Sequence, residues 1–143
     1  MVDNGRFLVV DDNREFAQDL CELLEMQGLK GVVAADAEEA LLLLERTVFQ
    51  GMFTDLRLPG RNGVELIEEA CRRDLAVPVV VMTAYPDEEL VRRAWRAGAI
   101  EVILKPLVTE RWLELAAELR SRSSAGANAS SVMSSVYDRR RPL

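Results

Sequence analysis

Five short apolar runs, each followed by a segment with apolar residues at helical spacing, constrain the fold of this chain more than any other feature. The runs are three to six residues long, which is typical of strands that are buried on both faces. Regular alternation of such strands with helices predicts an α/β fold, in which helices cover both sides of one parallel sheet. The predicted strands are Phe7–Val10, Gly31–Ala34, Met52–Asp55, Val77–Met82 and Val102–Leu104.

Capping and stop residues divide the intervening segments into five predicted helices. Helix 1 has Phe16 and Leu20 on its apolar face, and helix 3 extends from about Val64 to Cys71. Right-handed crossovers place helices 1 and 5 on one face if the strand order is 2-1-3-4-5, but periodicity alone does not establish that order. The expected N-caps of helices 2, 4 and 5 are Asp36, Asp87 and Thr109, and the expected stops of helices 1 and 4 are Gly28 and Gly98.

The composition changes near residue 121. Residues 1–120 carry the whole strand–helix pattern, and a total of 143 residues suits a single domain. Residues 121–143 are rich in Ser and Ala and have no apolar stripe, which predicts a linker or a flexible C-terminal tail. The end of this segment is basic, and we interpret it as solvated, with docking of a partner or contact with nucleic acid as the alternative.

The composition also excludes several classes of function. The chain has no histidine, which removes histidine-based catalytic triads, histidine zinc sites and an internal phosphohistidine. A net charge of −6 argues against unaided binding of nucleic acid. No apolar run approaches the ~18–20 residues that a membrane helix needs. Cys21 and Cys71 are expected to be buried thiols and, with no signal peptide, they indicate a cytoplasmic setting.

Polar residues follow four of the five predicted strands at their carboxyl ends. Ligands bind at this edge of an open α/β sheet, so we expect these side chains to converge. Neighbouring carboxylates repel one another, and a hard divalent cation such as Mg2+ relieves the repulsion. The polar residues are Asp11 and Asp12 after strand 1, Asp55 at the end of strand 3, Thr83 after strand 4 and Lys105 after strand 5.

This set of groups predicts phosphoryl chemistry. Asp55 is an oxygen nucleophile of the kind that forms aspartyl phosphates, and Lys105 supplies positive charge. Thr83 can donate a hydrogen bond to a phosphoryl oxygen. Taken alone, each residue also has a structural interpretation, since Asp11 and Asp12 could cap helix 1 and the others could be loop residues. The joint pattern favours the chemical interpretation, because complementary groups end four strands.

Four short motifs contain these polar residues: Val9-Val-Asp-Asp12, Asp55-Leu-Arg-Leu-Pro-Gly-Arg-Asn-Gly63, Val81-Met-Thr-Ala84 and Lys105-Pro106. In their order and spacing they resemble the motifs of response-regulator receiver domains, the CheY-like family. The resemblance covers about residues 5–120. It implies a doubly wound (βα)5 flavodoxin-like three-layer sandwich, whose five-stranded parallel sheet has the order 2-1-3-4-5.

The resemblance implies a role for each residue of the site. Asp55 accepts a phosphoryl group from the phosphohistidine of a sensor histidine kinase or histidine phosphotransfer protein, or from a small phosphodonor. Thr83 hydrogen-bonds that group, Lys105 pairs with Asp55 and then with the phosphate, and the Lys105–Pro106 peptide is cis. The chain is then a phosphoacceptor switch that catalyses only its own phosphorylation and dephosphorylation. Mg2+ is held by Asp12 directly, by Asp11 largely through water, by Asp55 and by the backbone carbonyl of Arg57.

The family transmits phosphorylation through the helix 4–strand 5–helix 5 face, which is also a possible homodimer surface. Val102 stands where the family usually carries Tyr or Phe, so we expect output to depend more on the backbone of the Thr83–Asp87 loop. Arg57 and Tyr85 flank the path of the attacking water in the family, which predicts slow autodephosphorylation. Trp95 on helix 4 is interpreted either as an exposed partner anchor or as a residue packed at the helix edge.

Other classes of protein fit the pattern less well. A metal-dependent phosphohydrolase with an aspartate nucleophile usually has an Asp-x-Asp arrangement after strand 1 and a cap insertion, whereas Asp11 and Asp12 are adjacent. A flavin-binding flavodoxin-like module needs a phosphate loop rich in Ser, Thr and Gly at that point. A phosphorylation-independent interaction domain is a further alternative. Among receivers, a standalone protein, a phosphorelay step and part of a longer regulator all stay open.

Overall fold

A computed structural model describes residues 5–125, in which five strands alternate with five helices. Every strand is followed by one helix, as the sequence predicts. The strands are β1 (Arg6–Val10), β2 (Lys30–Ala34), β3 (Gly51–Asp55), β4 (Val79–Thr83) and β5 (Glu101–Leu104). The helices are α1 (Arg14–Met26), α2 (Ala37–Arg46), α3 (Gly63–Arg72), α4 (Glu88–Ala97) and α5 (Thr109–Ala125).

The five strands are parallel and form one sheet in the order β2-β1-β3-β4-β5. This is the order implied by the resemblance, so the predicted fold class is confirmed. β3 is the central strand, and its Thr54 lies opposite Val10 of β1 and Val81 of β4. Chain connections from β1 and β3 leave the sheet in opposite directions, which opens a crevice at the carboxyl edge.

Buried apolar residues fill both faces of the sheet. On one face, Leu8 and Val10 belong to a cluster with residues of α2, α3 and α4. On the other face, Phe7 and Phe53 cluster with residues of α1 and α5, and the ring centroids of Phe53 and Trp112 are 4.5 Å apart. The predicted division of the helices between the two faces is therefore confirmed. Because both faces are covered, the strands are apolar at successive positions.

Local capping signals mark the helix ends where they were predicted. Asp36 and Asp87 cap α2 and α4, and each side chain accepts hydrogen bonds from backbone N–H groups of the first turn. Gly98 ends α4 in the left-handed conformation with a φ of 110°, and Gly28, two residues after α1, has a φ of 78°. These conformations favour glycine because a Cβ atom would be strained there.

The fourth strand differs from its predicted bounds at both ends. β4 begins at Val79 and not at Val77, because Pro78 has no N–H group to donate to a neighbouring strand. Thr83 is the last residue of β4, whereas the sequence places it in the following loop. Its side chain is consequently held by the sheet and is completely buried.

The last helix begins and ends at unexpected positions. Thr109 is the first residue of α5 rather than its cap, because the Val108 carbonyl accepts the first helical hydrogen bond, from Trp112 N, at 2.9 Å. The helix continues to Ala125 and so includes the first five residues of the predicted linker. The rest of the predicted tail, residues 126–143, lies outside the described residues.

Three side chains on the helices test the burial that the sequence predicts. Trp95 is buried, with 7% of its surface exposed, so it packs at the helix edge and does not form an exposed anchor. Cys21 is buried as predicted, but the prediction for Cys71 is wrong, because this residue is exposed. It lies one position beyond Ala70, the last buried residue of α3.

No helix among residues 5–125 is long and apolar enough to cross a membrane.

Candidate functional site

The polar residues singled out in the sequence meet at the carboxyl edge of the sheet. Asp11 and Lys105 directly follow β1 and β5, and Asp55 and Thr83 are the last residues of β3 and β4. Parallel strands end at the same edge, so residues far apart in the chain become neighbours there. The predicted convergence is therefore found in the structure.

The three aspartates form one cluster. Carboxylate oxygens of Asp11, Asp12 and Asp55 all lie within 4.8 Å of one another. Asp11 is almost completely buried, Asp55 is partly buried, and Asp12 is exposed. The cluster thus reaches from the interior of the crevice to its solvent-facing side.

The interpretation of Asp11 and Asp12 as helix caps is wrong, because Asn13 caps α1. The Asn13 side chain accepts a hydrogen bond from Phe16 N at 3.0 Å. The Asn13 N–H group in turn donates to Asp11 Oδ1 at 2.9 Å, which fixes the orientation of that carboxylate. One oxygen of Asp11 is therefore held by the backbone, and the other faces the cluster.

Lys105 joins two of the three carboxylates. Its Nζ atom lies 2.7 Å from Asp11 Oδ2 and 3.4 Å from Asp55 Oδ2. Pairing with Asp55 was expected from the resemblance, and the closer contact with Asp11 was not. The Lys105 backbone N–H group donates to the Thr83 carbonyl at 2.9 Å, and the Lys105–Pro106 peptide bond is cis, as expected.

The ring of Phe16 lies on a further side of the same ammonium group. Lys105 Nζ is 4.4 Å from the centroid of this ring, a distance typical of a cation–π contact. The sequence places Phe16 on the apolar face of helix 1, and nothing in the spacing indicates that it reaches the site. The contact depends on the way α1 and the end of β5 meet in the folded chain.

Electrostatics at Asp55 reflect this crowded environment. Burial raises the pKa of the Asp55 carboxyl group above its usual value. The positive charge of Lys105 lowers this pKa, whereas the negative charge of Asp11 raises it further, and the net direction is upward. Additional positive charge at the cluster would favour the ionised form, which is the form that acts as a nucleophile.

Loops after β3 and β4 complete the site. The Arg57 N–H group lies 3.4 Å from Asp55 Oδ1, and the Arg57 side chain is exposed. The Thr83 hydroxyl oxygen accepts a hydrogen bond from Tyr85 N at 3.0 Å. The hydroxyl proton remains available for donation, so Thr83 can hydrogen-bond a phosphoryl oxygen while it contacts its own loop.

Gly63 packs directly against the backbone of Asp55, and the sequence analysis did not identify it as a functional position. A Cβ atom at this first residue of α3 would lie 2.4 Å from the Asp55 carbonyl oxygen, far inside van der Waals contact. Gly63 N also donates to the Leu56 carbonyl at 2.8 Å. The sequence shows this glycine only as the end of a loop, although its distance from Asp55 within one motif was a usable signal.

The donor set of this cluster fits Mg2+. That ion takes oxygen ligands in a small octahedral shell and is commonly bound by one or two carboxylates, with waters and phosphoryl oxygens at the other positions. Three carboxylates within 4.8 Å supply such oxygens and carry more negative charge than the one neighbouring lysine offsets. Asp12 is exposed, which leaves room for water on the outer side of the cluster.

Comparison with known proteins identifies this class of site. Residues 7–117 match the family described as the response regulator receiver domain. The chain belongs to the response regulator receiver domain family, and its alternating fold and the position of its acidic cluster agree with that assignment. It is therefore a domain of two-component signal transduction, in which receiver domains interact with histidine kinases.

The curated relatives are longer than this chain. It is 38% identical over 110 residues to a response regulator receiver protein of Anaeromyxobacter sp. (strain Fw109-5), covering 77% of this chain and 46% of that protein. It is 32% identical over 133 residues to the DNA-binding response regulator MtrA of Mycobacterium tuberculosis (strain ATCC 25618 / H37Rv), covering 93% of this chain and 57% of MtrA. The chain thus spans about half the length of these relatives.

Solved structures show the same fold. A CheY-like receiver domain protein from Methanospirillum hungatei JF-1 superposes with a TM-score of 0.81 at 28% identity, covering 86% of this chain and 98% of that one. A response regulator protein from Burkholderia pseudomallei has a TM-score of 0.71 at 30% identity, covering 92% of this chain and 72% of that one. The latter contains a phosphorylated aspartic acid and a calcium ion.

Proposed function

We propose that Asp55 is the phosphoacceptor of this receiver domain. The observation that carries the proposal is the position of its carboxylate, within 4.8 Å of those of Asp11 and Asp12 and 3.4 Å from Lys105 Nζ. Asp55 ends the central strand and is only partly buried, so an incoming phosphoryl group can approach it from the crevice. The phosphorylated aspartic acid in the Burkholderia pseudomallei relative supports the same chemistry.

The proposed reaction transfers a phosphoryl group from nitrogen to oxygen. A carboxylate oxygen of Asp55 attacks phosphorus, an O–P bond forms, and the P–N bond to the donor imidazole breaks. The imidazole leaves with the electron pair of that bond. Positioning and charge neutralisation dominate such transfers. Lys105 meets the negative charge from the β5 side, and the Thr83 hydroxyl donates to a phosphoryl oxygen from the β4 side.

Mg2+ would be held by the acidic cluster. We assign direct binding to Asp12 and Asp55, contact largely through water to Asp11, and a further ligand to the backbone carbonyl of Arg57. The bound ion would supply positive charge that offsets the negative charge of the phosphoryl oxygens. The support for this assignment is the fit of the donor set, with one carboxylate buried and oriented and another exposed to water.

The proposed donor is the phosphohistidine of a sensor histidine kinase or of a histidine phosphotransfer protein. The chain has no histidine of its own, so the donor imidazole must come from another molecule or be replaced by a small phosphodonor. We propose that the domain catalyses only its own phosphorylation and dephosphorylation. Slow autodephosphorylation remains our prediction, since Arg57 and Tyr85 are exposed beside the site and can cover the approach of water to the acyl phosphate.

The switch is proposed to act through the Thr83–Asp87 loop. Tyr85 N donates to the Thr83 hydroxyl, so a shift of Thr83 towards a phosphoryl group acts directly on the backbone of this loop. Val102 is partly buried against the cluster shared with α4 and offers no aromatic ring to move. The α4–β5–α5 face stays the proposed output and homodimer surface, although its Glu101 lies 3.8 Å from Arg111 within the chain.

The first test is the intact mass of the protein after incubation with acetyl phosphate and Mg2+. We expect one phosphoryl adduct that disappears in Asp55→Asn and on removal of Mg2+ with a chelator. Asp19→Asn, an exposed aspartate on α1, is the matched control and should keep the adduct. Folded wild-type protein that gains no adduct from acetyl phosphate or from a phosphorylated histidine protein would contradict the proposal and favour a phosphorylation-independent interaction domain.

A further inference from the structure

The ammonium group of Lys105 has an aromatic neighbour besides the two carboxylates that it bridges. Its Nζ atom lies 4.4 Å from the centroid of the Phe16 ring, 2.7 Å from Asp11 Oδ2 and 3.4 Å from Asp55 Oδ2. The side chain is only 18% exposed, so little of its charge is shared with water. An aromatic ring at this distance attracts a cation, and the attraction is larger when the cation is desolvated.

The position of the ring is determined by the core and by the first turn of α1, independently of the lysine. Phe16 is partly buried and packs against the apolar cluster between the sheet, α1 and α5. Its backbone N–H group donates to the Asn13 side chain, and Asn13 N donates to Asp11 Oδ1. The ring, the helix cap and the buried carboxylate therefore form one local unit against which the lysine rests.

We propose that Phe16 is a positioning residue for the phosphoryl-transfer reaction, because its ring holds the Lys105 ammonium between Asp11 and Asp55. The inference rests on the proposed role of Asp55. Lysine has four flexible side-chain bonds and a strongly hydrated head, so an unrestrained ammonium spends more time in water. The Phe16 ring contacts the lysine and not the reacting atoms, and it acts on the reaction through the placement of that charge.

The decisive experiment changes the electrostatics of the ring with little change in its shape. Pentafluorophenylalanine is incorporated at position 16, and the rate of adduct formation from acetyl phosphate and Mg2+ is followed by intact mass. We expect a rate about threefold to tenfold lower than in the wild type, the size of a cation–π contact at a partly desolvated site. Phe16→Tyr retains the ring face and should keep the rate, whereas Phe16→Leu should lower it.

A double-mutant cycle separates positioning from general packing. In a Lys105→Met background, fluorination of residue 16 should have no further effect on the residual rate, because there is no cation to hold. An equal loss in that background would overturn the inference. Leu23→Ala alters the same apolar cluster on a later turn of α1, and it should lower the melting temperature while leaving the rate unchanged.

The contact itself is tested without phosphorylation. We expect the side-chain protons of Lys105 to show an upfield ring-current shift in the NMR spectrum of the wild type, and Phe16→Leu should remove it. If the wild type gains no phosphoryl adduct, the proposed function fails, and the lysine resonances still decide the contact. Unshifted lysine resonances in the wild type would overturn the inference. It would also be overturned if the wild type is phosphorylated and the fluorinated protein is phosphorylated at the same rate.

Discussion

Two groups of charged side chains in this molecule each combine carboxylates with cationic groups, but they differ in their balance of charge. At the carboxyl edge of the sheet, one lysine meets three carboxylates, those of Asp11, Asp12 and Asp55. On the outer surface of α2 and α3, three arginines surround one glutamate. We call this second group the Glu69 network, and it consists of Glu69, Arg61, Arg72, Arg73, Glu38 and Glu45.

The two groups have opposite effects on the acids at their centres. Burial raises the pKa of Asp55, and one lysine does not compensate for it. Hydrogen bonds from Arg72 and Arg73 lower the pKa of Glu69 to about 2. Arg61 forms ion pairs with Glu69 at 3.3 Å and with Glu38 at 2.9 Å, so the carboxylates of this network have cationic partners within the chain.

The difference separates a site that needs a ligand from a surface that does not. The aspartate cluster gains from an added cation, because its excess negative charge lies partly out of water. The Glu69 network already has its countercharges, and Arg72 and Arg73 beside Glu69 are exposed to water, so it has little to gain from a bound ion. A list of charged residues does not distinguish the two, but burial and charge balance do.

The largest effect is expected from removal of the positive charge of the Lys105 side chain. Lys105→Met should lower the rate of phosphorylation by acetyl phosphate about a hundredfold, since one preorganised group that meets transition-state charge is worth about this factor. The measurement is the initial rate of adduct formation by intact mass. Arg73→Met, which removes a cation from the Glu69 network, is the matched control. An equal loss in both variants would mean that the charge of Lys105 has no special role in the reaction.

The next effect concerns α3, which connects the two regions. Gly63→Ala places a Cβ atom against the Asp55 carbonyl oxygen and should destabilise the fold by about 2–3 kcal/mol, in the range typical of steric strain at a special backbone position. Chemical denaturation measures this loss. Gly28→Ala is a useful contrast, because no atom lies within 4 Å of its Cβ position and only its positive φ is penalised. An unchanged stability in Gly63→Ala would show that the close approach at Gly63 has no cost.

A smaller effect of opposite sign is expected for Asp55→Asn in the absence of Mg2+. A carboxyl group whose pKa is raised in the folded state destabilises the fold when it is ionised. The free energy of unfolding therefore falls as pH rises from about 3.8 through the folded pKa. The variant should therefore melt about 3 °C higher than the wild type at pH 7, and the difference should shrink below pH 4. Added Mg2+ should stabilise the wild type more than the variant.

The smallest effect is expected for Glu69→Gln. The lowered pKa of Glu69 contributes stability that is present above about pH 4.5 and is lost as pH falls from 4.5 to about 2. Its partners Arg72 and Arg73 are exposed and screened by solvent, so the melting temperature at pH 7 should change by no more than about 2 °C. High salt should reduce the difference further. A loss as large as that of Gly63→Ala would mean that solvent does not screen the ion pairs of Glu69.

Features determined by neighbours in the chain were predictable from the sequence. The caps at Asp36 and Asp87 and the stop at Gly98 depend on a few adjacent backbone groups, and all three are found where expected. Convergence of Asp11, Asp55 and their partners follows from parallel strands that end at one edge. The order of the strands is a different matter, because local periodicity contains no information on which strands pair.

Features determined by packing were not predictable. The exposure of Cys71 and the burial of Trp95 each depend on a rotation of about one residue around a helix axis. The contact of Phe16 with Lys105 joins two residues that are far apart in the sequence, one in the first helix and one after the last strand. Thr109 resembles a helix cap in its local sequence, but the chain leaving β5 brings the Val108 carbonyl into that position.

The length of α5 has a mechanical consequence. Its 17 residues span about 25 Å. The helix begins near the edge that carries Asp55, and its Leu119 approaches Gly51 at the start of β3, at the opposite edge. The far end of α5 therefore lies on the side of the domain away from the chemistry. Because a helix is stiff, a tilt about its Thr109 end would displace its far end by more than its near end.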